Sequence, residues 1–400
     1  MASAGNKRRV LVLVQNLPVP FDRRVWLEST TLQRNGYDVS VICPKMKGYN
    51  TSRETLEGID IYRYAMPFDP TSRWGFVGEN LWAWLRTLLL TVRVAVRGKG
   101  FDVIHACNPP ETFWTLGGFW KLFGKRFLFD HHDLSPELYE VKFGGGQGSL
   151  LGRLLRFLER ATFATADVAI ATNASHKRVA VERGRMSPDD VFIVRSGPDV
   201  ARFTEYQADP SWKHGQSHLI AFLGEMGEQD GVDLMIDALA QLVAEGRDDF
   251  HCVFIGGGTN RNTLIEHAAA RGIADRCTFT GVVSDDDLCR ILSSADIGID
   301  PVPQNAWSNK STMNKIMEYM FFGLPIVAFD LDEARVSAQD AAVYANPNEV
   351  ADMAKRIEEL LDDPERRATM SAYGKRRLRQ ELAWEHSAPH LLAAYDRVFS

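Results

Sequence analysis

The chain has 400 residues, of which 45% are hydrophobic and 24% charged, and its net charge is −6. That length is too great for one ordinary core and suits two domains, and the mixture is the usual one for a soluble globular protein. The five cysteines, at 43, 107, 252, 277 and 289, form no Cys-x-x-Cys or Cys/His cluster, which argues against a disulfide framework or a zinc site and for a reducing, cytoplasmic setting.

The basic start MASAGNKRR leads into VLVLV, too short for a signal-peptide core and suited to a first buried strand. RRVWLESTTLQRNG then reads as a helix, and DVSVICP and GIDIYRY as strands. Arg23 and Arg24 open that helix, where the macrodipole disfavours cations. Either an anionic acceptor or donor phosphate lies nearby, or the two arginines are solvated or salt-bridged. Residues 73–100 and 113–127 combine Trp, Phe and Leu with Arg and Lys. That composition suits a helix lying in a lipid interface, and also a core helix with a cationic rim. Arg86, Arg93 and Arg97 interrupt the longer stretch, so it does not span a bilayer.

FDVIHAC, KRFLFDHHD, DVAIATN and DVFIVRSG continue the strands, with LLGRLLRFLERATFATA as a helix between them. The second half repeats this rhythm through HLIAFLGEMG, FHCVFIGGGTN, RCTFTGVV, ADIGIDPV and LPIVAFD. Strands alternating with helices imply mostly parallel sheets with right-handed crossovers. The predicted fold is α/β, with two doubly wound Rossmann-like domains and a site in the cleft between them. Linker composition in 196–218 places the first domain at 1–195 and the second at 196–380, with a helix over 381–400 packing back toward the first. Residues 1–195 hold 27 Lys and Arg against 19 Asp and Glu, and residues 196–400 hold 19 against 33. This asymmetry suggests that the first half meets something anionic.

The stretch STMNKIMEYMFFGLPIVAFD, 311–330, sets Lys315, Glu318 and Phe322 on one helix face, with Ile316, Met317 and Met320 on the core side. Spacing alone allows an exposed ion pair there. The following turn and strand make the helix a βαβ element, whose N-terminal loop WSNKSTMN, 307–314, with Lys310 and Asn314 in it, sits at a strand's carboxyl end and offers backbone N–H groups to an anion. Lys315 would neutralise phosphate, and the Glu318 carboxylate would accept two ribose hydroxyls. In the first half His131, His132 and Asp133 follow an apolar strand.

These segments, with FLGEMGEQDGVDLMIDAL, FDHHDLSPELY, PFDRRVWLESTTLQRNGYDVSVICP and SGPDVARF, resemble glycosyltransferase family 4, of the two-domain GT-B architecture, over nearly the whole chain. The resemblance implies a retaining transferase whose second domain takes a nucleotide-sugar and whose first takes the acceptor, without a tightly bound metal or cofactor. It assigns Glu318 to the donor ribose, Lys315 to the diphosphate, Gly224 and Gly227 to the phosphate turn, and Gly257 with its neighbours to a turn near the base. His132 matches the family's cleft histidine, with Asp133 or Asp130 setting its tautomer and His131 left to structure. Arg23, Arg24 and Asp133 are acceptor or phosphate candidates.

The chain departs from the family's Glu-x7-Glu motif by placing Lys310 at the first carboxylate. It also has Glu225 and Asp230 where a basic pair is common, which would repel a pyrophosphate unless Lys310 and Lys315 offset them. Expected partners are a UDP- or GDP-sugar, a hydroxyl acceptor that is lipid-linked, polysaccharide or small, and an anionic inner membrane surface, with no nucleic acid. Other readings are a non-catalytic nucleotide-binding subunit and a nucleotide-sugar epimerase.

Overall fold

The computed structural model describes residues 7–66, 73–143 and 149–400; the first six residues of the basic start lie outside them. The chain divides into two compact units, one of Met1–Glu140, Gly145–Ser196 and Ser387–Ser400, the other of Val141–Gly144 and Gly197–His386.

The first unit is built on strands β1 (Arg9–Leu13), β2 (Asp38–Pro44), β3 (Arg53–Leu56), β4 (Ile59–Tyr64), β5 (Val103–Cys107), β6 (Arg126–His131), β7 (Val168–Ala171) and β8 (Val191–Ile193). Its helices are α1 (Arg23–Arg34), α2 (Arg73–Arg97), α3 (Trp114–Lys121), α4 (Ser135–Phe143), α5 (Leu150–Thr165) and α6 (Ala174–Glu182). The sheet order is β3-β4-β2-β1-β5-β6-β7-β8. All pairs are parallel except β3 with β4, a short edge strand that the sequence pattern did not announce. The chain winds outward from β1, then reverses to β5, so the switch point lies between those two strands. Near-continuous apolar runs such as VLVL suit strands covered on both faces. Ile104, Phe127 and Phe129 pack under α2, α3 and α5 through Val94, Trp120 and Phe163. Period-2 alternation sends His105 and Asp130 to the opposite face, toward α1.

The second unit holds β9 (His218–Leu223), β10 (Phe250–Ile255), β11 (Cys277–Gly281), β12 (Ile297–Asp300), β13 (Ile326–Phe329) and β14 (Ala342–Ala345), ordered β11-β10-β9-β12-β13-β14. All five neighbouring pairs are parallel. Its switch point lies between β9 and β12, where an open α/β sheet leaves a crevice beyond the strand ends. Its helices are α7 (Val232–Ala244), α8 (Arg261–Ala270), α9 (Asp285–Ser294), α10 (Asn314–Phe322), α11 (Asp332–Ala338), α12 (Val350–Asp362) and α13 (Pro364–Arg377). A last helix, α14 (Trp384–Phe399), carries the residues from 387 onward that count with the first unit. There Tyr395 sets its ring 5.4 Å from that of Tyr37. No helix among the described residues is long and apolar enough to cross a membrane.

His251, on β10, tests the packing of the second unit. Its ring stacks 4.2 Å from His214 and its Nε2 meets Thr278 Oγ1 at 2.8 Å. Burial, with His214 and Arg276 adding like charge, pushes its pKa down to about 4. The native state therefore refuses a proton that the unfolded chain takes near pH 6.5, and stability falls as pH drops through that window. Between pH 7.5 and 5 the wild type should lose about 2 kcal/mol that His251→Gln does not. Urea midpoints at the two pH values measure this, and parallel shifts in both proteins would refute it.

Candidate functional site

In the second unit the groups with chemistry gather at the carboxyl ends of β9 and β12. Helix α10 starts there, with Met313 at its N-cap and no side-chain hydrogen bond capping it. Lys315, in its first turn, is only 8% exposed. Its ammonium lies 3.4 Å from Asp300 Oδ1 and 4.7 Å from the centre of the Phe222 ring. Asp300 ends β12 and is buried; burial raises its pKa and Lys315 pulls it partly back. The exposed ion pair that spacing alone allowed on this face is not what the structure has: Lys315 reaches inward, where a buried carboxylate at the strand end receives it. Phe322, expected on the same face, is also buried, while Glu318 and Lys310 are half-buried and Asn314 is exposed.

The loop after β9 approaches the same point. Gly224 has φ +152°, and a Cβ there would sit 3.3 Å from Lys315 Nζ, so the missing side chain is what lets the ammonium close on the backbone. A Cβ on Gly256 would meet the Gly224 carbonyl oxygen at 1.9 Å. The glycines after β10 thus serve first to let two strand-end loops touch, with Gly257 O accepting from Met226 N at 2.7 Å.

Asp230, expected to oppose a pyrophosphate, braces the loop: its Oδ2 accepts from Gly227 N at 2.9 Å and Gln229 Nε2 at 3.2 Å. Burial raises its pKa, with Lys315 opposing. Glu225 is exposed.

In the first unit Asp130 is the hub of a buried network. Arg24 Nη2 donates to its Oδ1 at 2.8 Å and Nε to its Oδ2 at 3.3 Å, while Nη1 donates to Val194 O at 2.8 Å and Ser196 Oγ at 2.9 Å. Glu28, one turn on from Arg24, lies 3.0 Å from the same guanidinium. His105 Nε2 sits 3.3 Å from Asp130 Oδ2, and its Nδ1 sits 2.8 Å from the Tyr395 hydroxyl. His132 Nε2 makes a short hydrogen bond to Asp130 Oδ2.

Burial would push the Asp130 carboxyl up, but Arg24, His132 and His105 together hold it well below the usual range. Glu28 is driven well above it, by burial first and by Asp130 after Arg24's opposing pull. Of the two neighbouring carboxyls, Asp130 therefore keeps the charge and Glu28 the proton. His105, its pKa lowered by burial, is neutral, so an Nε2–H toward Asp130 leaves Nδ1 to accept the Tyr395 proton.

The structure thus corrects Arg24 as a phosphate or acceptor ligand: its guanidinium is committed within the unit. The unfavourable position at the helix start is offset by these acids and by Asp22, which caps α1 by accepting from Val25 N. Arg23 is exposed. Of the two candidates for orienting His132, Asp130 meets its Nε2. Asp133 is tied through its main chain, its N donating to Asn108 Oδ1 and its O accepting from Asn108 Nδ2. His131 faces the other side, 5.1 Å from Phe163 and 5.2 Å from His176 by ring centres, as a core residue.

Among the described residues two three-residue sets, His105–Cys107–Asp130 and Glu28–Asp130–His132, bring metal-capable atoms within 4.8 Å. The Arg24 guanidinium already supplies positive charge to the Asp130 that both would share. Sequence reading passed over Asp300, Glu28, His105 and Tyr395. The available signals were an acid ending the strand GID and a histidine inside the apolar run VIHAC.

Two sequence models match the chain: "Glycosyltransferase Family 4" over residues 22–202 and "Glycosyl transferases group 1" over 217–363. D-inositol 3-phosphate glycosyltransferase of Salinispora tropica is 28% identical over 329 residues, covering 76% of this chain and 66% of that one. Aligned stretches of the curated relatives span from about two fifths to two thirds of their own length. Sucrose-phosphate synthase from Thermosynechococcus elongatus superposes with a TM-score of 0.79 at 17% identity, over 98% of this chain and 99% of that one. Anabaena HepE in complex with UDP-glucose gives 0.72 at 14% identity, over 97% and 99%. Matched in each half by models of glycosyltransferases and sharing their architecture nearly end to end, the chain belongs to glycosyltransferase family 4 and has the GT-B fold.

Proposed function

We propose that the protein is a retaining glycosyltransferase that moves a sugar from a UDP- or GDP-sugar to a hydroxyl, at the inner face of a cell membrane, on a lipid-linked, polysaccharide or small acceptor, with no tightly bound cofactor. The observation that carries this reading is the Lys315–Asp300 pair at the switch point of the second unit, beside a helix start without a side-chain cap and a glycine turn. An ammonium has three donors, and Asp300 holds it in place while leaving others for a diphosphate. A preset cation lowers the barrier by stabilising charge that gathers on the departing phosphate. Glu318, one helical turn on, would accept the ribose hydroxyls. His132, held by Asp130, would orient and polarise sugar or phosphate oxygens.

A donor reading also draws support from HepE, a fold relative solved with UDP-glucose. The membrane placement draws on the basic first half and on its aromatic and cationic stretches.

Glu318→Ala should weaken UDP or GDP binding by about 100-fold, the loss of two charge-assisted hydrogen bonds, with the fold intact. Calorimetry checks this, and unaltered affinity for both nucleotides would remove Glu318 from its role.

A second reading, a non-catalytic nucleotide-binding subunit, draws on the acids Asp230 and Glu225 that lie near the already paired Lys315. Hydrolysis of UDP-glucose or GDP-mannose without acceptor separates the two: turnover supports the transferase, and binding without turnover supports the subunit.

A further inference from the structure

We propose that the outer face of α2, α3 and α5 docks on an anionic lipid bilayer through an apolar surface edged by an arginine groove. The inference rests on the membrane placement in the reading above and not on the donor site.

Helix α2 is built inside out. It buries Ala83, Thr87, Thr91 and Val94 against the sheet, keeps Trp84, Leu88 and Leu90 half-buried beside them, and turns a further row of apolar side chains outward. Leu81 is 65% exposed, Leu89 52% and Val96 75%, with Leu85 and Val92 between them. Their spacing of three or four residues makes one continuous stripe. An ordinary surface helix does the reverse.

Helix α5 buries Phe163 with Gly152, Glu159 and Thr162, while Leu150, Leu154 and Phe157 stand exposed. Phe119, Leu122 and Phe123, at the end of α3, are exposed as well. The three helices are joined edge to edge: Trp84 Nε1 donates to Thr115 Oγ1, Trp120 Nε1 to Thr91 Oγ1, and Lys121 Nζ to Thr165 O. All three cover the same face of the sheet, so their outward sides form one surface. Monomeric proteins rarely leave so much contiguous apolar surface bare.

Charge selects the partner. Residues 81–100 hold four Lys and Arg, 113–127 three and 149–165 three, against a single acid, the buried Glu159. Beside α5 lies a groove of 1020 Å³ lined by the acids Asp167, Glu182 and Asp190 and by five arginines, three of them Arg153, Arg160 and Arg185. Among the described residues these three make no ion pair or side-chain hydrogen bond. A second copy would set arginines against arginines. A bilayer offers hydrocarbon for the stripe and headgroup phosphates for the groove, the two things an interfacial helix requires.

The full chain should sediment with vesicles of phosphatidylglycerol and phosphatidylcholine far more than with phosphatidylcholine alone, and less as salt rises. Arg153→Ala/Arg160→Ala/Arg185→Ala should lower partitioning onto the anionic vesicles by about 100-fold, at roughly fivefold per arginine. Leu89→Glu/Phe157→Glu should abolish it, with circular dichroism and UDP calorimetry unchanged. Equal binding by the parent and these variants would overturn the proposal, as would indifference to lipid charge. A parent chain that is dimeric by ultracentrifugation and made monomeric by Leu89→Glu would also overturn it, because the face would then belong to a second copy. Failure to bind vesicles with intact UDP binding refutes the docking surface alone, and the opposite result refutes the donor reading alone.

Discussion

Replacing Lys315 by Met should lower turnover per bound donor by about 1,000-fold and weaken nucleoside-diphosphate binding in parallel, because on the proposed reading one substitution removes the cation that faces the leaving group. The side chain nearly fits, so the cost is electrostatic rather than steric. It also leaves the Asp300 carboxyl buried without its counter-charge, and that group will take up a proton instead of staying ionised. Stability should therefore fall by about 1–3 kcal/mol, the usual penalty for a stranded buried polar group.

The two consequences can be separated. Lys315→Met/Asp300→Asn should recover most of the stability, since neither a lone charge nor its partner remains, and none of the activity. Thermal melts read the first effect, and donor hydrolysis with calorimetry the second. Wild-type donor affinity in Lys315→Met would remove the phosphate role outright. Lys315→Arg should rescue it only in part, because a longer, planar guanidinium spreads over several atoms the charge that the ammonium holds at one point beside Asp300.

The second large effect is expected at Asp130. Asp130→Asn removes the charge opposite Arg24, whose guanidinium is buried with fixed partners at Val194 and Ser196. Breaking one side of a buried ion pair costs about 3–5 kcal/mol. In a unit of this size that lowers the melting temperature by about 6–20 °C, at 2–4 °C for each kcal/mol. The amide also presents a donor where His132 and His105 now find an acceptor, so one ring must change tautomer or lose its bond. Turnover should drop with it.

Glu28 provides the internal control. Once Asp130 loses its charge, the pressure that keeps Glu28 protonated falls, and its carboxyl can ionise and pair with Arg24. Asp130→Asn/Glu28→Gln should then be less stable than the two single losses added together. Strict additivity would show that Glu28 does not back up Asp130.

Much of the architecture was legible because it is written in short periods. Apolar runs of four to six residues separated by amphipathic stretches announce buried parallel strands and crossover helices, and the sheets follow that reading apart from the edge strands β3 and β14. That His131 lies in the core agrees with a local rule, since successive residues of an extended chain point to opposite faces, whereas the role given to His132 came only from the family resemblance. Lys315 and Glu318 were picked out by spacing on one helix. What the helix face meets was not legible: Asp300 stands fifteen positions back, on another strand.

The long-range pairs lie further out of reach. Arg24 and Asp130 are 106 residues apart, and His105 and Tyr395 are 290 apart. The amino-acid order by itself determined the two α/β halves, the strand-end loops and the residue types gathered at them, because backbone geometry answers to the period of nearby side chains. Only the tertiary structure decided which charges are spent on one another, which carboxyl keeps a proton and which helices turn their oily side outward. Those depend on burial and on partners brought together from distant parts of the chain, and no local pattern carries that information.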